Sequence, residues 1–227
     1  MKVNQKNPGT ENTGLFITAE GIDGSGKSTQ ILLLAEWLES IGLRERLILT
    51  REPGGTIIGE KIRKIILDLH NERLCSTTEL FLYAAARAQL VEEVIKPAIS
   101  RKMIIICDRF TDSTLAYQLY GRELDPELVK YLNAAATGDL KPDMTLYFDI
   151  EPVQAYKRRT KSRDKQEQDR IESEGLAFHS RVHDGYLDIA KNYKDRVKLI
   201  DARRSVDEIA GEVRDLVKPM LIARGFV

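Results

Sequence analysis

Residues 21–29 read GIDGSGKST. Gly21, four further residues and then Gly26-Lys27-Ser28 fit the phosphate-cradling pattern G-x-x-x-x-G-K-[ST] at every position. The residue types explain the pattern. Glycines let backbone N–H groups turn inward around phosphate oxygens, and a helix opening behind them adds partial positive charge. The flanks supply that setting. LFITA (15–19) is a short apolar run of strand character, and Ile31, Leu34, Ala35, Leu38 and Ile41 fall on one helical stripe before Gly42 stops it. Gly21, Ile22, Asp23, Gly24, Ser25, Gly26, Lys27, Ser28 and Thr29 are therefore expected to hold the phosphates of a nucleoside triphosphate. Lys27 would reach the outer phosphates, and the Ser28 hydroxyl would ligate magnesium.

Four more apolar runs follow: RLILT (46–50), MIIIC (103–107), MTLYF (144–148) and VKLI (197–200). Several lack alternation, as in strands covered on both faces. Helical patterns lie between them. Ser76–Glu79 and Ser205–Glu208 read as S-x-x-E capping boxes, the second opening a helix with Val206, Ile209, Ala210, Val213 and Leu216 on its buried face. Strands alternating with helices predict an α/β fold: a five-stranded parallel sheet with helices on both faces, binding ligands at the carboxyl ends of its strands. One domain is expected over 15–227, behind a polar, unstructured leader at 1–14.

The 35 basic residues balance 35 acidic ones, so no global field draws the chain to nucleic acid or to a membrane surface. No apolar stretch is long enough to span a bilayer, and the amino terminus has no secretory pattern; a cytoplasmic protein is expected. Cys75 and Cys107 read as reduced, packed thiols. His179 and His183 stand four apart, but HSRVH lacks the glutamate of a zinc-protease helix, so two solvent-facing side chains are expected rather than a metal site.

Other stretches carry charge at strand ends. Asp108-Arg109 closes MIIIC; if that strand neighbours the first, Asp108 can hold the magnesium shell and Arg109 can face phosphate, the alternative being a surface ion pair. A switch GTPase is disfavoured, because the chain has no NKxD and its D-x-x-G lies inside the phosphate loop. TREPGGT (50–56) offers Arg51 for a second phosphate, with Pro53 and two glycines fixing a tight turn and a possible cis bond. In ELFLYAAARAQL (79–90), Tyr83 and Arg87 share a helix face with small alanines between them, a ring and a guanidinium that suit a nucleobase. Alone, that pair reads first as a packed tyrosine and a salt-bridged arginine. KRRTKSRDKQEQDR (157–170) is strongly basic: a solvated helix end, or a mobile lid.

Together, GIDGSGKST, TREPGGT, YAAARAQ, DRFTDSTLAYQ and DRIESE strongly resemble the bacterial thymidylate kinases from about Leu15 to the C-terminal helix. The resemblance implies a P-loop fold of the nucleoside monophosphate kinase type, three layers deep, with a basic lid at about 157–172. It implies transfer of the ATP γ-phosphate to dTMP, with magnesium, in a homodimer. Position by position, it implies Asp23 near the acceptor's sugar and phosphate, assisted by Arg109, and Arg51 on the acceptor phosphate beside Pro53. Arg87 would read a thymine carbonyl, and Tyr83 would stack on the base where the family usually has phenylalanine. Thr114 would lie near the base N3 edge, Tyr117 would crowd the ribose 2′ position, and Gln118 would line the same pocket. The phosphate loop holds no arginine, so the chain resembles the members whose catalytic arginine is in the lid. Arg163 and Arg170 are the leading choices, ahead of Arg158 and Arg159. The alternatives are a kinase of this architecture acting on another nucleoside monophosphate or a nucleoside, and a nucleotide-dependent binding protein that transfers nothing.

Overall fold

In the computed structural model, residues 14–162 and 169–227 are described. The five apolar runs become β1 (Leu15–Glu20), β2 (Leu47–Arg51), β3 (Ile104–Asp108), β4 (Met144–Asp149) and β5 (Val197–Asp201). They form one parallel sheet in the order β2-β3-β1-β4-β5, as the sequence predicts. β1 lies at the centre, with its neighbours reached in opposite directions along the sheet, so the crevice for a ligand opens at its carboxyl end. Register aligns the functional strand ends there: Asp108 pairs with Ala19 on one side and Arg51 on the other.

Alternation along the strands builds two cores, one on each face. Leu15, Ile17, Ile104 and Ile106 pack with α1 (Lys27–Ser40), α8 (Leu176–Asn192) and α9 (Val206–Ala223). Phe16, Ile105 and Cys107 pack on the other face with Leu90 at the end of α3 (Ser76–Leu90), Val91 and Ile95, and Ala98 of α4 (Lys96–Ser100). The remaining helices are α2 (Ile57–Leu67), α5 (Thr111–Thr114), α6 (Pro126–Thr137) and α7 (Pro152–Ser162). Val91–Ile95 and Leu115–Gly121 are π-helical, a widening frequent at functional sites.

The capping box at Ser205–Glu208 forms in full. The one expected at Ser76–Glu79 does not: Cys75 takes the cap position, and Glu79 turns inward to Arg122 and Arg170. Two guanidinium groups outcompete a single backbone N–H for that carboxylate. On α9, Val206 is exposed and Val217 and Leu221 complete the buried face instead. Ile41 is likewise exposed, one residue past the end of α1. Cys107 is packed under the sheet, but Cys75, outside α3, is exposed.

The histidine expectation is also corrected. His183 is buried, with Nε2 2.8 Å from Asp149 Oδ1 at the end of β4, and His179 is half-buried. The inner face of α8 that carries Val182 and Tyr186 carries His183 with it, and the carboxylate satisfies its ring. Among the described residues, no group of three or more His, Cys, Asp or Glu side chains is arranged to hold a metal, and no helix is long and apolar enough to cross a membrane. The expected leader at 1–14 lies outside the described residues except for Gly14, whose N–H donates to Ile99 O at 3.3 Å.

Candidate active site

The phosphate loop runs from β1 into α1. Gly24 has φ +91, and a Cβ there would lie 2.4 Å from the Ala155 carbonyl oxygen, so only glycine lets the loop pass α7. No side chain caps α1 and no acidic residue occupies its first turn. The first N–H groups of that helix are left for an anion, as the loop's chemistry requires. Ser25 Oγ is buried there without a partner. A cleft of about 170 Å³ opens over Gly24, Gly26, Lys27, Ser28 and Thr29, with Arg159 and Glu172 on its far side. Gly21 and Ile22 form the buried root of the loop.

Arg109 follows β3 in a left-handed conformation, φ 70, that a branch-free glycine would adopt more readily. The backbone is held there by its N–H to Ala19 O at 2.9 Å. Its guanidinium is fixed by four groups. Nη2 donates to Asp23 Oδ1 at 2.8 Å, Nη1 to Ser113 Oγ and Tyr186 OH at 3.2 Å each, and the plane lies 5.0 Å from the Tyr117 ring centroid. Asp23 Oδ1 also accepts from Lys27 Nζ at 3.0 Å. Burial raises the Asp23 carboxyl, but the Arg109 and Lys27 charges outweigh it and hold the group far below the usual carboxylate range.

Behind Arg109 stands Glu20, fully buried at the end of β1. It accepts from Phe110 N at 2.7 Å, Ser113 Oγ at 2.6 Å and Tyr186 OH at 2.8 Å. Each hydroxyl thus accepts from Arg109 and donates to Glu20. Burial and the nearby Asp112 charge push Glu20 up to about 7 despite those bonds. Glu20, Ser113 and Tyr186 escaped the sequence reading. Glu20 immediately precedes the phosphate loop and Ser113 lies inside DRFTDST, but nothing local marks Tyr186 on α8, far along the chain.

A second, deeper cavity of about 300 Å³ adjoins the phosphate cleft. It brings together Asp23, Lys27, Ser28, Arg51, Pro53, Tyr83, Arg87, Asp108, Arg109, Thr114, Tyr117 and Gln118 from four separate parts of the chain. The Glu52–Pro53 bond is cis. Arg51 Nη2 lies 3.1 Å from both Glu60 oxygens and is half-exposed at the mouth. Arg87 is 1% exposed; Nε donates to Glu52 at 2.7 Å, Nη1 to Asn133 Oδ1 at 2.6 Å and Nη2 to Phe110 O at 3.0 Å. It is thus both the salt-bridged arginine of the plain reading and a wall of the cavity. Ala84 and Ala86, between Tyr83 and Arg87 in sequence, are buried. Thr114 Oγ1 and the Tyr117 hydroxyl are buried at this end without partners, as is Asp108 Oδ1 near the phosphate loop. Arg63, Asp169 and Glu172 also line the cavity and were not singled out. The last two sit within DRIESE, the motif that would have pointed to them.

The basic stretch divides. Arg163 lies outside the described residues. Arg159 lines the phosphate cleft, its Nη2 donating to Glu172 O at 3.1 Å, whereas Arg158 Nη1 donates to Ala202 O at 2.8 Å. Arg170 is placed behind the cavity wall. Its Nε donates to Ile66 O at 2.8 Å and its Nη2 to Glu79 at 2.6 Å, tying residues 169–175 to the end of α2. Burial alone would raise Glu79, but bonds from Arg122, Gln118 and Arg170 prevail and keep its carboxyl below the ordinary value.

A phosphate loop at the carboxyl end of the central strand, a buried arginine at the next strand end, and a polar cavity beside both define a P-loop phosphotransferase. Residues 19–213 match the family model described as thymidylate kinase. A thymidylate kinase from an Exiguobacterium species is 46% identical over 89% of this chain and 93% of its own length. One from Oleidesulfovibrio alaskensis is 48% identical, over 89% of this chain and 97% of its own. The crystal structure of thymidylate kinase from Ehrlichia chaffeensis is similar with a TM-score of 0.74 and 36% identity, spanning 90% of this chain and 98% of that one. The chain belongs to the thymidylate kinase family.

Proposed function

We propose that the chain transfers the γ-phosphate of ATP to dTMP, giving ADP and dTDP. The observation that carries this reading is the meeting of two sites: the phosphate cleft and the deeper cavity share Asp23, Lys27, Ser28 and Glu172. A triphosphate in one and a monophosphate in the other would approach each other across Asp23, Lys27 and Ser28.

A phosphate monoester is largely dianionic near neutral pH, its second pKa being about 6, so no general base is needed. The work is alignment and charge stabilisation. Lys27 Nζ and Arg109 Nη2 both donate to Asp23 Oδ1, which holds the two cations together before any ligand enters. Arg51 would take the acceptor phosphate at the cavity mouth, with Pro53 shaping the turn behind it. Tyr83, Arg87, Thr114, Tyr117 and Gln118 would hold the base and deoxyribose. Arg159 and Arg163 are the lid arginines assigned to the transferring group. Arg170, which donates to Ile66 O and Glu79, would anchor the segment that follows the lid.

A magnesium ion fits the donor set. Ser28 and Asp108 supply hard oxygens to the same cavity, and Asp108 Oδ1 is buried with no protein partner. Held by Ser28 and Asp108, such an ion would supply positive charge to offset that of the phosphates. We assign the protein to the cytoplasm and to a homodimer. Ile57, Ile58, Ile65 and Phe81 on α2 and α3 are exposed apolar side chains suited to such a contact, and Phe81→Glu should halve the mass seen by light scattering. Transfer is distinguished from hydrolysis by stoichiometry. One dTDP should form per ADP released; ADP accumulating without dTDP would remove the transferase reading.

A further inference from the structure

The Glu79 carboxylate is fully buried and collects donors from three side chains. Gln118 Nε2 reaches Oε1 at 2.9 Å and Arg122 Nε reaches it at 3.1 Å. Arg122 Nη2 and Arg170 Nη2 reach Oε2 at 3.0 and 2.6 Å. Between two guanidinium groups this carboxylate stays ionised and can only accept. The side of the Gln118 amide that faces it must therefore be the NH2. The amide oxygen is the atom left for the cavity that Gln118 lines, next to Thr114 one turn earlier, whose hydroxyl is buried without a partner. Glu79 is not among the residues that line that cavity; it reaches the cavity through Gln118 and, through Arg170, the segment that carries Asp169 and Glu172.

We propose that Glu79 is a positioning residue for base selection, locking the Gln118 amide with its oxygen toward the acceptor so that the site demands an N–H at the middle of the base edge. This rests on reading the cavity as the acceptor-base pocket. Thymine and uracil offer N3–H between two carbonyls. Cytosine offers a bare N3 beside an amino group. Against the Gln118 oxygen the first pair makes a hydrogen bond, and the second sets lone pair against lone pair. The Arg87 guanidinium, donor only, imposes the same choice at the 4-position. An unrestrained glutamine would not discriminate, because a half-turn of its amide presents NH2 to cytosine N3. Glu79 closes that route, since the flipped amide would put its oxygen against the carboxylate.

The test compares kcat/KM for dTMP, dUMP and dCMP in the unsubstituted enzyme, Glu79→Gln and Gln118→Met. In Glu79→Gln the side chain at 79 offers a donor as well as an acceptor, so Gln118 can face either way. The dTMP-over-dCMP preference should then shrink by about tenfold or more. The dTMP-over-dUMP ratio depends on the 5-methyl group and should not change. A proportional loss for all three acceptors, or an undiminished dTMP-over-dCMP preference, overturns the proposal. Should Glu79→Gln fail to fold, with two cations left around a neutral amide, Gln118→Met carries the test. It removes the amide and keeps the Glu79–Arg122–Arg170 cluster. There dTMP and dUMP should fall together while dCMP does not, and a preference for dTMP over dCMP that survives undiminished overturns the assignment. Absence of dTMP turnover in the unsubstituted enzyme would overturn the acceptor reading itself, a failure visible before any variant is made.

Discussion

Arg109 and Asp23 lie 2.8 Å apart, joining the end of β3 to the phosphate loop and fixing a cation at the point where the two cavities meet. Arg109→Ala removes that preorganised charge while leaving the Glu20–Ser113–Tyr186 bonds in place. The expected result is a fall in kcat of about 10²–10³-fold, with an unchanged circular dichroism spectrum. A turnover number equal to that of the unsubstituted chain would remove Arg109 from the reacting centre.

Lys27 is buried at the start of α1 and its ammonium is paired with Asp23. Lys27→Ala should nearly abolish turnover with the fold intact, because α1 keeps its buried Leu34, Ala35 and Leu38. Steady-state rates and a thermal melt, measured together, separate this from unfolding. Normal turnover would sink the phosphate-loop assignment.

His183 and Asp149 give the fold a pH dependence of definite sign. The Asp149 hydrogen bond raises His183 above its ordinary value despite burial. The native state therefore binds the proton more tightly than the unfolded chain, whose histidine titrates near about 6.5. The stabilisation is complete below that pH and is lost as pH rises through the folded value. Urea midpoints should fall as pH rises above about 6.5 in the unsubstituted protein and fall less in His183→Gln, the onset being set by the unfolded histidine value. Parallel curves for the two proteins would contradict the account.

Arg87 and Glu52 form a buried ion pair at 2.7 Å, with Asn133 and the Phe110 carbonyl taking further bonds. Removing the cation leaves Glu52 buried and uncompensated. Arg87→Ala should cost about 3–5 kcal/mol of stability as well as acceptor affinity. Adding Glu52→Gln should recover part of the stability and none of the affinity. Denaturant unfolding of the two variants checks the first claim, and the KM for the acceptor checks the second.

The sheet was legible because each strand is a short apolar run, and the phosphate loop because its backbone demands glycine at fixed spacing. Ser205–Glu208 was legible for the same reason: a cap is a local event. Ser76–Glu79 failed because Glu79 answers to Arg122 and Arg170, 43 and 91 residues away, which no local pattern reveals. His183 failed likewise, since its partner lies on β4. The motifs named Arg109, Arg87 and Gln118, yet what holds each one in place came from elsewhere in the chain. Tyr186 steadies Arg109, Asn133 steadies Arg87, and Glu79 steadies Gln118.

The most direct test of the account is ADP release with ATP and magnesium against dTMP, dUMP, UMP, dCMP, dAMP and dGMP. The cavity as described predicts turnover dominated by dTMP, with UMP excluded by the Tyr117 ring and dCMP by the Gln118 oxygen. Preferential turnover of another monophosphate would contradict the assignment of Tyr83, Arg87, Thr114, Tyr117 and Gln118 to the acceptor base and sugar, and would leave only the phosphate chemistry standing.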